Sequence, residues 1–429
     1  MGKGLAALAW VACALLFAAC ARPGTTGGAR GGAVSVLGVW GGSELDSFRA
    51  MVKPFETRTG ITVQYEGTRD LNAVLTARVQ GGHPPDLAAL PGPGQIAELA
   101  RAGSLKPLDH AVDPGEMARE YTRTWIDLGS VGGRLYSIVI KTAVKGLVWY
   151  DPHTWAAAGY QVPSTWGQLL SLTQAIASGG KTAWCVGLES GAATGWPATD
   201  WIEILLLRAA GPGVYEQWYR HEIPWTDPRV RAAWQRFGQI AANPKNVYGG
   251  TPAELATNFG QAPFPMFVTP PGCYMHLQAT FIQDFIHTQY PQLQPGRDVA
   301  FFPFPTIAPA YATDVEVAGD LVGMFNDTPQ ARALVRYLAT AAAQEIWVKR
   351  GAALSPNRGV PLTAYPDSLS RRAAEMLVTS DAARFDASDM MPQAVTDAFY
   401  KATLDYVRDP ARLTEILRRL EQVSRENYK

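Results

Sequence analysis

The chain has 429 residues, so it is long enough for about two to three domains, and its hydrophobic fraction of 47% is enough for ordinary globular cores. Lysine plus arginine equals aspartate plus glutamate, with 38 of each. A formal net charge of zero gives no electrostatic case for a nucleic acid partner.

The N-terminal segment is typical of a processing signal rather than of a folded element. The apolar run 5–19 follows a short positive start and is short for a membrane span. Leu16-Phe17-Ala18-Ala19-Cys20 resembles a bacterial lipobox, which implies that residues 1–19 are removed and that Cys20 carries a diacylglycerol. An ordinary cleaved signal peptide or an uncleaved anchor is the alternative. The Gly-rich residues 20–33 are predicted to form a flexible tether.

The cysteines fit an exported protein. Cys13 leaves with the signal and Cys20 is the lipid site, so Cys185 and Cys273 remain. In an oxidising compartment, two remaining cysteines predict one disulfide. Two unpaired buried thiols are the alternative.

Strands alternate with helices in the first part of the chain. Strands are predicted at 34–39, 61–65 and 86–90, and helices at 44–58, closed by Gly60, and at 70–79. This alternation predicts an α/β domain with a largely parallel sheet. Because ligands bind beyond the carboxyl ends of such strands, the loops at Trp40 and 91–94 are candidates for a binding site.

The remainder mixes short strands with longer helical stretches. Further strands are predicted at 134–140, 146–150, 263–269, 301–305 and 320–325. Helices are predicted from near 166, over much of 184–260, over 329–349, and from 368 onward with breaks at Pro392 and near Pro410.

Several motifs occur in an order that is known from one family. Gly38-Val39-Trp40-Gly41-Gly42-Ser43-Glu44, followed by Phe55-Glu56-x-x-Thr59-Gly60-Ile61-x-Val63, resembles the opening of the family 1 extracellular solute-binding proteins of bacterial ABC importers. Gly82-x-Pro84-Pro85-Asp86, Gly103-x-Leu105-x-Pro107-Leu108-Asp109 and Pro163-x-Thr165-Trp166 continue the likeness. The segments 184–201, 271–276 and 384–392 resemble the alpha-glucoside-binding branch, and both remaining cysteines lie in them.

The resemblance implies a fold and a function. The fold is α/β, with the two lobes of a type II, maltose-binding-protein-like periplasmic binding protein and a hinge that the chain crosses three times, near Val144, Ala318 and Pro361. A carbohydrate, an alpha-glucoside, is captured between the lobes and delivered to the ABC permease subunits. We expect a monomer held at the membrane by its lipid anchor, with no cofactor and no metal. The lobes would be 34–143 with 319–361, and 144–318 with 362–429.

A sugar site needs aromatic platforms and side chains that hydrogen-bond to hydroxyl groups. Loop placement and the family motifs select the following ligand-binding candidates. They are Trp40, Glu44, Arg69, Asp70 and Asp320 in the first lobe, and Trp196, Thr199, Asp200, Trp201, Tyr274, Arg384, Asp386 and Asp389 in the second.

Structural roles compete with binding at several of these positions. Trp40 could be a packing residue, Asp70 could cap a helix, and Asp200 could serve a helix N-terminus. Arg384 could form an ion pair with Asp386 or Asp389. Lys141 and Lys145 could bridge the lobes, but we expect them at the surface.

The sequence gives little support for catalysis. Gly180-Lys181-Thr182 lacks the earlier glycine of a phosphate loop, no H-E-x-x-H or G-x-S-x-G occurs, and the histidines lack zinc-site spacing. Asp386 and Asp389 could mimic a glycosidase pair, so an exported glycoside hydrolase is the alternative function. A binding protein used only as a sensor or adhesin is a third hypothesis.

Overall fold

The computed structural model describes residues 31–380 and 382–428. The predicted signal segment 1–19, the predicted lipid site Cys20 and most of the predicted tether therefore lie outside the described residues. The strands are β1 (Ala33–Gly38), β2 (Thr62–Gly67), β3 (Leu87–Leu90), β4 (Ser130–Val131), β5 (Arg134–Leu135), β6 (Ser137–Val144), β7 (Leu147–Tyr150), β8 (His276–Gln278), β9 (Ala300–Pro303), β10 (Val315–Met324) and β11 (Ala383–Phe385).

The helices carry most of the remaining chain. They are α1 (Gly42–Thr59), α2 (Leu71–Gln80), α3 (Pro93–Arg101), α4 (Pro114–Glu120), α5 (Arg123–Leu128), α6 (Pro152–Ala157), α7 (Trp166–Ser178), α8 (Trp196–Tyr219), α9 (Pro228–Ile240), α10 (Gly250–Ala256), α11 (Ile282–Gln289), α12 (Pro329–Leu338), α13 (Ala341–Val348), α14 (Ser368–Thr379), α15 (Ala387–Met390), α16 (Gln393–Arg408) and α17 (Leu413–Asn427). Short 3₁₀ turns lie at Gly191–Ala193, Phe264–Phe267, Pro309–Tyr311, Leu362–Ala364 and Pro410–Arg412.

A six-stranded sheet forms the centre of the first lobe. β1 is parallel to β2 and to β3, and β10 runs antiparallel to β3 and β6. The β1 residues Val34, Val36 and Leu37 are buried because helices cover both faces of the sheet. Because β1 and β2 are parallel, their carboxyl ends lie at the same edge of the sheet. The loops that follow them begin there, at Val39 and Thr68.

The helix α1 shows how the sequence pattern determines this packing. Phe48, Met51, Val52 and Phe55 recur at helical spacing and are all buried. Gly60 ends the helix in the left-handed conformation, with φ 70°, as the sequence predicted.

The second lobe is built from a small sheet and a large group of helices. β7 is the middle strand of an antiparallel three-stranded sheet, between β8 and β9. The helices α8, α9, α16 and α17 enclose a second core that includes Trp201, Trp218 and Phe399. The bend in α8 lies at Gly211, with φ 83°, directly before Pro212. None of the helices in the described residues is long and apolar enough to cross a bilayer.

Three passages of the chain lie side by side where the lobes meet. Val317 on β10 pairs with Val144 at the end of β6 and with Phe385 on β11. The third strand of this group is β11, which the sequence did not predict.

Other element predictions also needed correction. Residues 264–267 form a 3₁₀ turn rather than the predicted strand, because the prolines at 263 and 265 cannot donate to a strand ladder. The predicted helix 329–349 is two helices, since Thr340 caps a new one by accepting a hydrogen bond from Ala343 N at 3.3 Å.

The predicted disulfide is confirmed. Cys185 and Cys273 are bonded, with their Cα atoms 5.5 Å apart. Both side chains are buried, and Cys185 N also donates a hydrogen bond to Met275 O. The bridge ties the segment that precedes α8 to the segment that precedes β8, within the second lobe.

Candidate functional site

A cavity of about 170 Å³ lies between the two lobes, at the carboxyl ends of β1 and β2. Its walls come from both sides of the junction. The first lobe contributes Val39, Trp40, Glu44, Arg69, Pro91, Lys141, Gly319 and Asp320; the second contributes Lys145, Ser190, Ala193, Trp196, Phe259, Phe281, Asp386, Asp389 and Tyr400; Thr142, Ala143 and Ala318 lie between them.

Lys141 organises the wall on the first lobe. Its Nζ lies 2.5 Å from Glu44 Oε1 and 3.2 Å from Asp320 Oδ2, and all three side chains are 11% exposed. Asp320 Oδ2 also accepts from Trp40 Nε1 at 3.1 Å. Burial lowers the pKa of Lys141, but the two carboxylates outweigh it and leave the pKa raised, so the ammonium stays charged.

Each of these carboxylates uses one oxygen for the lysine. Glu44 Oε2 and Asp320 Oδ1 have no hydrogen-bond partner among the described residues. Because both side chains line the cavity, these oxygens are acceptors available to a guest.

Lys145 organises the wall on the second lobe. Its Nζ lies 2.8 Å from Asp200 Oδ1 and also contacts Asp386 Oδ2. Asp386 further accepts from Ser388 Oγ at 2.7 Å and from Asp389 N at 3.0 Å. Carboxylate oxygens of Asp200, Glu316 and Asp386 lie within 4.8 Å of one another, and the cation that Asp200 and Asp386 share is the Lys145 ammonium.

The carboxyl groups around Lys145 divide into neutral and charged members. Burial raises the pKa of Asp200 to about 7, against the attraction of Lys145. Burial likewise holds the pKa of Glu203, Glu316 and Asp389 well above its usual range. Burial also opposes ionisation of Asp386, but Lys145 and its hydrogen bonds lower its pKa overall. Asp386 therefore carries the negative charge that balances the lysine.

Aromatic rings form the rest of the cavity. Trp196 lies under Lys145, whose Nζ is 5.4 Å from the ring centroid, and packs edge-on against Phe259 with centroids 5.1 Å apart. Trp40 is only 1% exposed; it stacks on Tyr65 at 5.7 Å and meets Trp347 edge-on at 5.1 Å. Trp40 is thus mainly a packing residue that positions Asp320 through its hydrogen bond. Trp196, by contrast, contributes a half-buried ring to the cavity wall.

The structure brings seven of the predicted site residues to the cavity and places six elsewhere. Those that line it are Trp40, Glu44, Arg69, Trp196, Asp320, Asp386 and Asp389. Those that do not are Asp70, Thr199, Asp200, Trp201, Tyr274 and Arg384.

Helix geometry explains the positions on α8. Trp196 and Trp201 are five residues apart, which is about 140° around a helix of 3.6 residues per turn. Trp201 therefore faces the second core, with its ring 4.9 Å from that of Trp184. Thr199 donates to the Trp196 carbonyl at 2.8 Å, and Asp200 lies behind the wall as the partner of Lys145.

The other three residues have partners away from the cavity. Tyr274 packs edge-on against Tyr160 at 5.2 Å in the second core. Arg384 does form an ion pair, but its partner is Glu216 at 2.6 Å. Asp70 is exposed at the N-cap position of α2, although its side chain makes no capping hydrogen bond.

Sequence reasoning missed or misplaced several cavity residues. Lys141 and Lys145 were expected at the surface but are only 9% and 5% exposed. The sequence feature that could have revealed them is that both lysines lie next to the predicted first crossing. A lysine buried there needs acidic partners from distant segments of the chain. Phe259, Phe281 and Tyr400 also line the cavity, and no local pattern distinguished them from core aromatics.

The sequence profile described as bacterial extracellular solute-binding protein matches residues 41–345. The chain belongs to this family. It is 42% identical over 409 residues to the osmoprotective compounds-binding protein GgtB of Synechocystis sp., covering 95% of this chain and 96% of that one. It is 36% identical over 398 residues to the alpha-glucosides-binding periplasmic protein AglE of Rhizobium meliloti, covering 88% and 84%.

Solved structures of solute-binding proteins share the fold. The bacterial solute receptor AcbH, described as having an exclusive preference for β-D-galactopyranose, superposes with a TM-score of 0.80 at 19% identity, over 93% of this chain and all of that one. Maltose-bound MalE3 of T. maritima gives 0.70 at 15% identity, over 91% and 100%. The extracellular solute-binding protein described here is thus a two-lobed α/β binding protein of the maltose-binding-protein type and not an enzyme.

Proposed function

We propose that this solute-binding protein captures an uncharged carbohydrate, an alpha-glucoside, between its lobes and delivers it intact to the membrane subunits of an ABC importer. One observation carries the proposal: the interlobe cavity combines aromatic walls with carboxylates that each hold a lysine through one oxygen. Glu44 and Asp320 keep their second oxygens for the guest.

This arrangement suits a neutral polyol. Sugar hydroxyls donate well to carboxylates, and charge-assisted hydrogen bonds are the stronger kind. The C–H face of a sugar ring packs on an aromatic face such as that of Trp196. Because Lys141 and Lys145 are each engaged by two carboxylates, neither is free to bind an anionic guest.

The relatives support the choice of sugar. AglE is named for alpha-glucosides and GgtB for osmoprotective compounds, and both align with most of this chain. We take the alpha-glucoside of the proposal from the name of AglE.

The proposal includes closure of the lobes and attachment to the membrane. We propose that the lobes divide at the strands that pair with Val317. The first lobe, predicted as 34–143 with 319–361, would then continue to β11. Closure follows from contacts that the guest makes with both walls at once. We further propose that residues 1–19 are a signal peptide, that lipidated Cys20 anchors a monomer outside the cytoplasm, and that the closed form contacts the permease.

A thermal-shift screen tests the proposal. The purified protein is melted with sucrose, trehalose, maltose, the β-linked cellobiose and the anion gluconate. The α-linked sugars should raise the melting temperature, because a ligand at 100 times its Kd stabilises the folded state by about 2.7 kcal/mol. A shift with gluconate alone, or with no sugar, would contradict the proposal.

Trp196→Ala should weaken sugar binding by about tenfold, equivalent to about 1.4 kcal/mol, in calorimetric titrations. Trp166→Ala is the matched control, because Trp166 is also half-buried but packs on Phe304 away from the cavity. Equal affinities of the two variants would place the site elsewhere.

A further inference from the structure

Arg69 lies where three cavities of the interlobe cleft meet. The inner cavity of about 170 Å³ is flanked by one of about 590 Å³ beside α2 and α16 and by one of about 480 Å³ beside α11. Among the described residues, Val39 and Arg69 alone line all three. Arg69 therefore lines the inner cavity and both outer chambers.

Arg69 crosses from one lobe to the other. It follows β2 in the first lobe, and its guanidinium carbon lies 4.9 Å from the ring centroid of Phe259 in the second. Its Cβ also lies 3.3 Å from the position that a Cβ on Gly191 would occupy. Arg69 and Phe259 both line the inner cavity and the chamber beside α11, so their contact lies on the border between them.

The contact can open without breaking a salt bridge. No described carboxylate oxygen lies within 4 Å of the Arg69 guanidinium, and Arg69 is exposed. The arginine is held by the face of an aromatic ring, an interaction of modest strength at an exposed position.

We propose that Arg69 and Phe259 form a gate that sets the length of the carbohydrate that the protein accepts. This inference rests on the proposed function. At about 10–15 Å³ for each water-sized group, the inner cavity has room for roughly a dozen such groups. That space holds one sugar ring, so the second ring of maltose reaches the gate, and the further rings of a longer oligosaccharide enter the chamber beside α11 only past it.

The test measures chain-length selectivity by calorimetry with maltose and maltotetraose. The wild-type protein should bind maltose at least about tenfold more tightly than maltotetraose. Arg69→Ala should reduce this affinity ratio by about tenfold, whatever the change in either affinity alone. Phe259→Ala opens the same contact from the opposite lobe and should reduce the ratio similarly. Arg123→Ala, at a side chain that is 86% exposed, should preserve it.

The outcomes separate the gate from the proposed function. If the wild-type protein binds maltose and both gate variants keep its selectivity ratio, the gate is overturned while the proposed function stands. If Arg69→Ala weakens both sugars equally, Arg69 is an ordinary ligand contact, and the gate is again overturned. If the wild-type protein binds no sugar of the thermal-shift screen or of this pair, the proposed function fails and the gate fails with it.

Discussion

Replacing Lys145 with methionine should destabilise the protein by an amount that depends on pH. The Lys145 side chain is 4% exposed and its partners Asp200 and Asp386 are 1% and 3% exposed, so the variant leaves buried acid without its cation. Breaking a buried ion pair in this way costs about 3–5 kcal/mol.

Proton linkage gives the pH dependence. In the native protein, burial acts to raise the pKa of Asp386, but Lys145 and hydrogen bonds lower it overall. The ionised Asp386 therefore contributes stability above its pKa in the unfolded chain. This contribution is lost only as the pH falls through its pKa in the folded protein. Without Lys145, burial should raise that pKa, and Asp386 must take up a proton on folding. With an unfolded pKa of about 3.9, this uptake costs about 5 kcal/mol at pH 7.5 and about 1.5 kcal/mol at pH 5.

Urea unfolding followed by tryptophan fluorescence measures the effect. The difference in unfolding free energy between the wild-type protein and Lys145→Met should be about 3 kcal/mol smaller at pH 5 than at pH 7.5. Lys53→Met, at a side chain that is 74% exposed, is the control and should change stability little at either pH. Equal deficits at the two pH values would refute the assignment of the charge to Asp386.

Two further predictions concern the lobes. Gly94→Ala should weaken the binding of every sugar by about tenfold, because a Cβ there would overlap the Met391 carbonyl oxygen across the lobe interface and disfavour closure. Gly167→Ala is the control, since no atom lies within 4 Å of the added group. Unchanged affinity of Gly94→Ala in calorimetry would count against a role in closure. Cys185→Ser combined with Cys273→Ser should lower the unfolding free energy by about 4 kcal/mol, since the bridge spans 88 residues; an unchanged urea midpoint would contradict this.

Local sequence patterns predicted the elements whose determinants are local. The strand at Val34, the helix with buried Phe48 and Phe55, and its end at Gly60 follow from periodicity and glycine conformation over a few residues. The disulfide followed from counting cysteines in an exported chain. These features need no knowledge of distant segments.

The site was predicted less well because its partners are far apart in the sequence. Lys141 is buried only because Glu44 and Asp320 meet it, from positions 97 residues before and 179 residues after it. Because the sequence alone does not show that these acids meet Lys141, it assigns the lysine to the surface. Trp201 shows the opposite error, a core residue assigned to the site. It was chosen because it lies beside a site motif, but its angle around α8 directs the Trp201 side chain into the second core.

The direction of β1 has a practical consequence. The strand runs from Ala33 towards the cleft, and Trp40 at the cavity follows its last residue closely. At about 3.3 Å per residue, the start of β1 lies about 20 Å from the edge where a guest enters. A biosensor surface coupled through the residues that precede Ala33 should therefore leave the mouth of the cleft facing the sample.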